Sequence, residues 1–263
     1  MLSLTIVRLG LTFAGLAVAG LRAQDRAGYV LLVSGNGIWS STSRAKLAPG
    51  DEVFAGNRIE CEGCKDSQKD TLTLAMLDGT APPYNRGFTV PPLHDSMRSE
   101  ISRMVTAVAN ALTQQKHTLV FGISRGSMDV APAVLKLTEH RVDMAPALGM
   151  LDPGEYHLEF TPIDGGSAIA AKCNYDPPTD TSAAAALSPG AYTLRATSSS
   201  GKPLGNTTVL VAAASDFDAR TEEFHRAVEL TAAWPAGAGP QVRGTFLSAL
   251  LVALAFSPVA GVR

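Results

Sequence analysis

Four sets of residues in this chain have types and spacings that could carry chemistry. The first is Gly122-Ile123-Ser124-Arg125-Gly126, formally G-x-S-x-G, behind the apolar run Thr118–Phe121. A serine hydrolase holds such a serine on a sharp strand-to-helix turn, with an acid and then a histidine on later strands. Here the next segment, Ser127 to Leu137, contains Pro132 and reads as loop then strand. No alternation of strands and helices follows that could build a hydrolase sheet. Ser124 is therefore expected in an ordinary turn, and a serine hydrolase using it is kept as the alternative function.

The second set is Cys61-Glu62-Gly63-Cys64, with Cys173 the remaining cysteine. In an oxidising compartment Cys61 and Cys64 are the candidate disulfide, closing a very small loop and leaving Cys173 over. A redox pair of the thioredoxin kind opens a helix after a strand, whereas this pair lies between a strand and a polar Lys/Asp/Ser/Gln segment. Zinc requires a second cysteine pair or two histidines at ligand spacing, which Cys173 alone does not supply.

The histidines form the third set. The five are scattered, without His-x-x-His or His-Glu-x-x-His spacing, so no metal or other cofactor is expected. The fourth set, Asp176 and Asp180 around Pro177-Pro178-Thr179, lacks the D-x-D-x-D-G pattern of a calcium loop and reads as a solvated acidic loop. No catalytic residue is assigned.

The elements that must position these residues follow a leader. Arg8 is the only charge before the apolar run Leu9–Leu21, and small residues at Ala17 and Ala19, or at Ala23, supply cleavage sites. Residues 1–24 therefore read as a signal peptide, and an uncleaved segment would instead make a membrane-anchored protein. Removing residues 1–23 takes Arg8 and Arg22 out of the 22 basic residues. That leaves 20 against 24 acidic ones, and the formal charge moves from −2 to −4. No Lys/Arg cluster remains to hold nucleic acid or anionic lipid. With 24 Gly, 16 Pro and 6% aromatics, the body reads as turn-rich and mainly β with accessory helices.

Gly28–Ile38 reads as a strand running into a turn at Gly35 and Gly37. Pro49-Gly50 and Gly56-Asn57 bracket a short strand. Thr71–Leu77 alternates, with Leu72, Leu74 and Met76 on one face, and ends in Asp78-Gly79. The series L-x-P-G-D-x-V-x-x-G-N-R-I (Leu47–Ile59) followed by L-D-G-T (Leu77–Thr80) resembles the FecR-type domain of exported bacterial proteins. Leu47, Gly50, Asp51, Val53, Gly56, Ile59, Leu74, Asp78 and Gly79 carry the likeness. The resemblance implies a small exported β module over 25–84, and not iron-transport signalling.

Residues 85–117 read as a proline-marked linker and an amphipathic helix, its stripe formed by Leu93, Met97, Ile101, Met104, Val105, Val108 and Leu112. An internal repeat follows. Leu151-Asp152-Pro153-Gly154-Glu155-Tyr156-His157-Leu158 recurs 36 residues on as Leu187-Ser188-Pro189-Gly190-Ala191-Tyr192-Thr193-Leu194. L-x-P-G-x-Y-x-L resembles the strand-opening motif of extracellular Ig-like and carboxypeptidase-regulatory-like sandwiches. With further strands at Thr118–Phe121, Ala133–Leu137, Ile169–Cys173 and Thr207–Ala212, residues 118–213 read as one antiparallel sandwich of about seven strands. Residues 214–263 read as a C-terminal helical pair. The first helix carries Phe217, Phe224, Val228 and Trp234 as its stripe and stops at Pro235. The second, Phe246–Phe256, is short for a membrane span and is expected to be buried.

The sequence thus points to a non-catalytic binding protein of the periplasm or extracellular space. Its expected partner is an envelope protein or glycan, with membrane contact only if the leader is retained. A C-terminally tagged chain should fractionate with periplasm or medium, shortened by about 2 kDa, and full-length protein in the cytosol would refute export.

Overall fold

The computed structural model describes residues 25–42, 44–64, 69–93, 99–114, 130–235 and 239–257. The leader and the Gly122–Gly126 motif with Ser124 lie outside them, as does the strand expected at Thr118–Phe121. The described chain is mainly β with a few helices, as its composition indicates.

Aliphatic β1 (Arg26–Ser34) pairs antiparallel with β3 (Glu52–Phe54) on one side and β5 (Thr71–Met76) on the other. β6 (Pro83–Tyr84) completes a sheet ordered β3-β1-β5-β6. A second small sheet is ordered β2-β4-β7, from β2 (Ile38–Ser41), β4 (Arg58–Glu62) and β7 (Phe88–Thr89). Successive side chains on a strand point to opposite faces. One face of β1 and β5 therefore sends Val30, Leu72, Leu74 and Met76 into a core with Trp39, Val53 and Ile59. The other sends Tyr29, Leu31 and Ala75, with Leu77 just beyond, into a different core shared with the helices. The alternation read over Thr71–Leu77 is present, but β5 is buried on both sides.

Helix α1 (Ser99–Gln114) lays Met104, Val105, Val108 and Leu112 against that second core. Two glycine turns let helices approach the β module. Gly50 and Gly79 have positive φ, and an added Cβ would stand 2.4 Å from Thr113 Oγ1 at the first and 2.9 Å from Ile101 Cγ2 at the second. At the same Gly79 turn the carbonyl accepts the Trp234 indole N–H at 2.7 Å.

Residues 133–213 depart from the expected sandwich. Seven strands close into a barrel: β10 (Gly154–Pro162), β11 (Ile169–Tyr175), β12 (Ser182–Ala184), β9 (Arg141–Asp143), β8 (Ala133–Thr138), β14 (Pro203–Ala213) and β13 (Gly190–Ser198). Two features produce closure. β14 runs parallel to β8, pairing Val211 with Leu135. The three-residue strands β9 and β12 pair with each other, Val142 opposite Ala183, and bridge β8 to β11. Both residues are fully buried and all their neighbours in these strands point outward or only half inward, so neither strand shows an apolar alternation in sequence.

The Pro-Gly-x-Tyr repeat opens β10 and β13, which lie side by side and antiparallel. Tyr156 and Tyr192 are buried with Leu158 and Leu194 inside the barrel, while His157 is exposed. Each tyrosine hydroxyl donates to the carbonyl four residues upstream, Tyr156 to Asp152 at 2.5 Å and Tyr192 to Ser188 at 2.8 Å. That bond ties the turn to the strand it opens and satisfies a hydroxyl that would otherwise be costly to bury.

After the short helix α2 (Ala145–Leu148), helix α3 (Phe217–Ala232) corrects one expectation. Val228 is 38% exposed, and the buried stripe is Arg220, Phe224, Ala227 and Thr231. Arg220 turns inward because its guanidinium donates to the Ser257 carbonyl at the end of the next helix, while its alkyl stem packs. That helix, α4 (Gly239–Phe256), begins seven residues before the apolar run and buries Phe246, Ala249, Leu250 and Leu251 in the shared core.

Tyr156→Ala or Tyr192→Ala should cost about 3 kcal/mol and Tyr→Phe about 1 kcal/mol, the latter from the lost hydroxyl bond. His157→Ala should stay below about 0.5 kcal/mol. Denaturant melts of the five variants check this, and tyrosine variants that melt like wild type would show that the corners carry no stability.

Candidate functional site

An open groove of about 510 Å³ lies on the outside of the barrel, lined by His157, Glu159, Lys172, Arg195 and Thr197 with the small Ala170 and Ala184 between them. Strand alternation places these side chains. Wherever Tyr156, Leu158 and Phe160 fill the barrel, His157 and Glu159 must face out. The same rule turns Ala170 and Lys172 outward on β11 and Arg195 on β13.

Register then assembles them. His157 stands opposite Lys172 on one neighbour and Thr197 on the other, and Glu159 stands opposite Ala170 and Arg195. Lys172 Nζ reaches Glu155 Oε1 at 3.3 Å, a solvent-exposed pair that contributes little stability. The small Ala170 and Ala184 leave a depression between longer neighbours.

Edges offer less. A closed barrel has none, and the edges of the two small sheets are short or covered. Beside β2, Leu47 N–H donates to the Trp39 carbonyl at 2.7 Å. Strand β7 is only two residues long. Strands β3 and β6 are three and two residues long.

The cysteines fall in two environments. Cys61 and Cys64 are disulfide-bonded across a Cα separation of 5.8 Å, at the end of β4 and away from any helix start. The bond packs over Gly37, where an added Cβ would lie 2.4 Å from Cys64 Sγ and 2.6 Å from Cys61 Sγ. Buried Asp70 fixes that turn, its Oδ1 accepting from the Asn36 N–H at 2.8 Å and the Gly37 N–H at 3.2 Å. Cys173 is fully buried in the barrel interior, and burial, helped by Asp180 and Asp143 and opposed by Arg141, pushes its thiol up to about 11. It is a protonated core residue at neutral pH.

The acidic loop is internally satisfied. Asp180 accepts from the Ser182 N–H at 3.0 Å and hydroxyl at 2.8 Å and pairs with Arg141 at 3.2 Å, and these contacts hold its carboxyl below the usual range. Nearby Asp143 accepts from Thr181 Oγ1 at 2.7 Å and the Ala145 N–H at 3.0 Å. Among the described residues no three His, Cys, Asp or Glu side chains are grouped to hold a metal.

Of the sequence-derived candidates, the structure brings together Cys61 and Cys64 and leaves Cys173 apart. The groove residues other than His157 had no signal in sequence beyond lying at outward positions of their strands. Comparison with protein-family models, curated proteins and solved structures finds no match to this chain.

The Cys173 environment makes a pH prediction. An ordinary thiol ionises near 9.0 and this one near about 11, so its stabilising contribution is complete below pH 9 and is lost as pH rises through 11. Urea midpoints of wild type should therefore fall more steeply between those limits than those of Cys173→Ala. At pH 8 the native thiol should resist a disulfide reagent and react only on unfolding. Equal alkaline slopes would refute the assignment.

Proposed function

We propose that this chain is an exported, non-catalytic binding protein that engages an envelope protein or glycan through the outer wall of its barrel. The observation that carries the reading is the open polar groove of His157, Glu159, Lys172, Arg195 and Thr197, held on three mutually registered strands. Binding sites built on strands hold their side chains with more precision than sites on loops, because the ladder fixes the backbone beneath them.

Export is supported by the leader read in sequence and by the Cys61–Cys64 bond, since disulfides persist in oxidising compartments. We read 25–84 as a FecR-like module whose Gly50 and Gly79 turns serve here as docking points for helices. In the barrel, the doubled Pro-Gly-x-Tyr corner is the feature shared with Ig-like and carboxypeptidase-regulatory-like domains.

A photo-crosslinking residue in place of Thr197 should give a discrete adduct in the envelope fraction. The same residue in place of Met150, 83% exposed and outside the groove, should not. Equal adducts at both positions would sink the assignment of this face. Fluorophosphonate labelling that disappears in Ser124→Ala would overturn the non-catalytic reading in favour of a serine hydrolase.

A further inference from the structure

We infer that the barrel-wall groove binds a neutral, polyhydroxylated ligand, a segment of an uncharged oligosaccharide. This rests on the barrel wall being the binding face, as proposed above, and gives that face a ligand class.

Charge is the first argument. Lys172 and Arg195 are balanced by Glu155 and Glu159 across the face, so the groove presents no net field to draw a polyanion or a polycation. Hydrogen-bonding chemistry is the second. The ammonium and guanidinium only donate, the carboxylates only accept, and the His157 ring and Thr197 hydroxyl can each do both. Neighbouring sugar hydroxyls also donate and accept, so a face that sets the Glu159 carboxylate beside the Arg195 guanidinium, and the Lys172 ammonium beside the His157 ring and Thr197 hydroxyl, suits vicinal diols. Glu159 and Arg195 stand directly opposite in register, yet among the described residues neither forms an ion pair or side-chain hydrogen bond. Both remain open to a ligand lying between them.

The floor excludes the main rival. A peptide binds a sheet by adding a strand to an edge, or by dropping alternate side chains into apolar pockets. Beneath this groove β10 is paired on both sides, to β11 and to β13, so its backbone is already committed. The lining offers only the small Ala170 and Ala184 as exposed apolar groups.

Calorimetric titration of the full mature chain with tetrasaccharides of glucose, mannose and N-acetylglucosamine tests the inference, with polygalacturonate and heparin as anionic probes. At least one neutral tetrasaccharide should bind, with affinity changing less than about twofold between about 50 and about 500 mM salt. Arg195→Ala and Glu159→Gln should each weaken that binding about tenfold or more while the thermal melt is unchanged. Thr197→Lys, which crowds the groove without removing a charged partner, should weaken it as well.

Three results would overturn the inference: no binding of any neutral tetrasaccharide, binding of the polyanions alone with steep salt dependence, or neutral binding that all three variants leave intact. A protein adduct at position 197 with no sugar binding would sink the glycan while leaving the binding-protein reading standing. Absence of both adduct and sugar binding would remove both.

Discussion

Helix α4 is apolar around nearly its whole circumference, and a helix of that kind has to be covered on every side. The fold is arranged around that requirement. Tyr29, Leu31, Ala75 and Leu77 of the β module share one core with it, as do Met104, Val105, Val108 and Leu112 of α1. Phe224, Ala227 and Trp234 join that core from α3 and the turn after it, and Val134, Leu210 and Ala212 from the barrel. β14 is consequently buried on both faces: Val209 and Val211 fill the barrel while Leu210 and Ala212 meet the shared core. One stretch of barrel wall is thereby taken out of solvent. The outward residues of β11, of β10 and of the later part of β13 are left facing water, and there the polar groove forms.

This division explains which parts of the fold were legible in sequence. The corners at Tyr156 and Tyr192 were, because a turn signal followed by period-two alternation is local. Closure of the barrel was not. It depends on β8 running parallel to β14 and on β9 and β12, each with one fully buried residue among three. A single inward Val142 or Ala183 has no period to detect, and a sandwich and a barrel share the same strand pattern until their edges pair. Helix α3 misleads for a related reason. A helical stripe chosen by hydrophobicity takes Val228 and rejects Arg220, while the fold supplies the Ser257 carbonyl and buries the arginine.

The candidate site divides along the same line. His157 was legible as an outward residue because the repeat fixed its strand's facing. That Lys172 and Thr197 flank it, and that Arg195 meets Glu159, depends on register between strands far apart in sequence. The Cys61–Cys64 spacing was readable as a small loop. The bare Gly37 beneath its sulfurs and the Asp70 carboxylate that shapes the turn were not, since they arrive from other segments.

The same apolar helix raises a question of solvent. With 18 residues and mean hydropathy 1.3, α4 is long and apolar enough to cross a membrane by length and composition alone. Burial decides how the folded chain uses it. Phe246, Leu250 and Leu251 are each at most 1% exposed, and each side chain of that size is stabilised by roughly 1.5–3 kcal/mol when covered. Withdrawing α4 would forfeit those contributions from the protein side. It would also uncover Leu31, Leu210, Val105, Val108 and Phe224, for which a departed helix leaves only water. The loss from these partners alone is comparable to the whole stability of an ordinary domain, about 5–15 kcal/mol. A helix held on these terms acts as the core that joins the β module to the barrel.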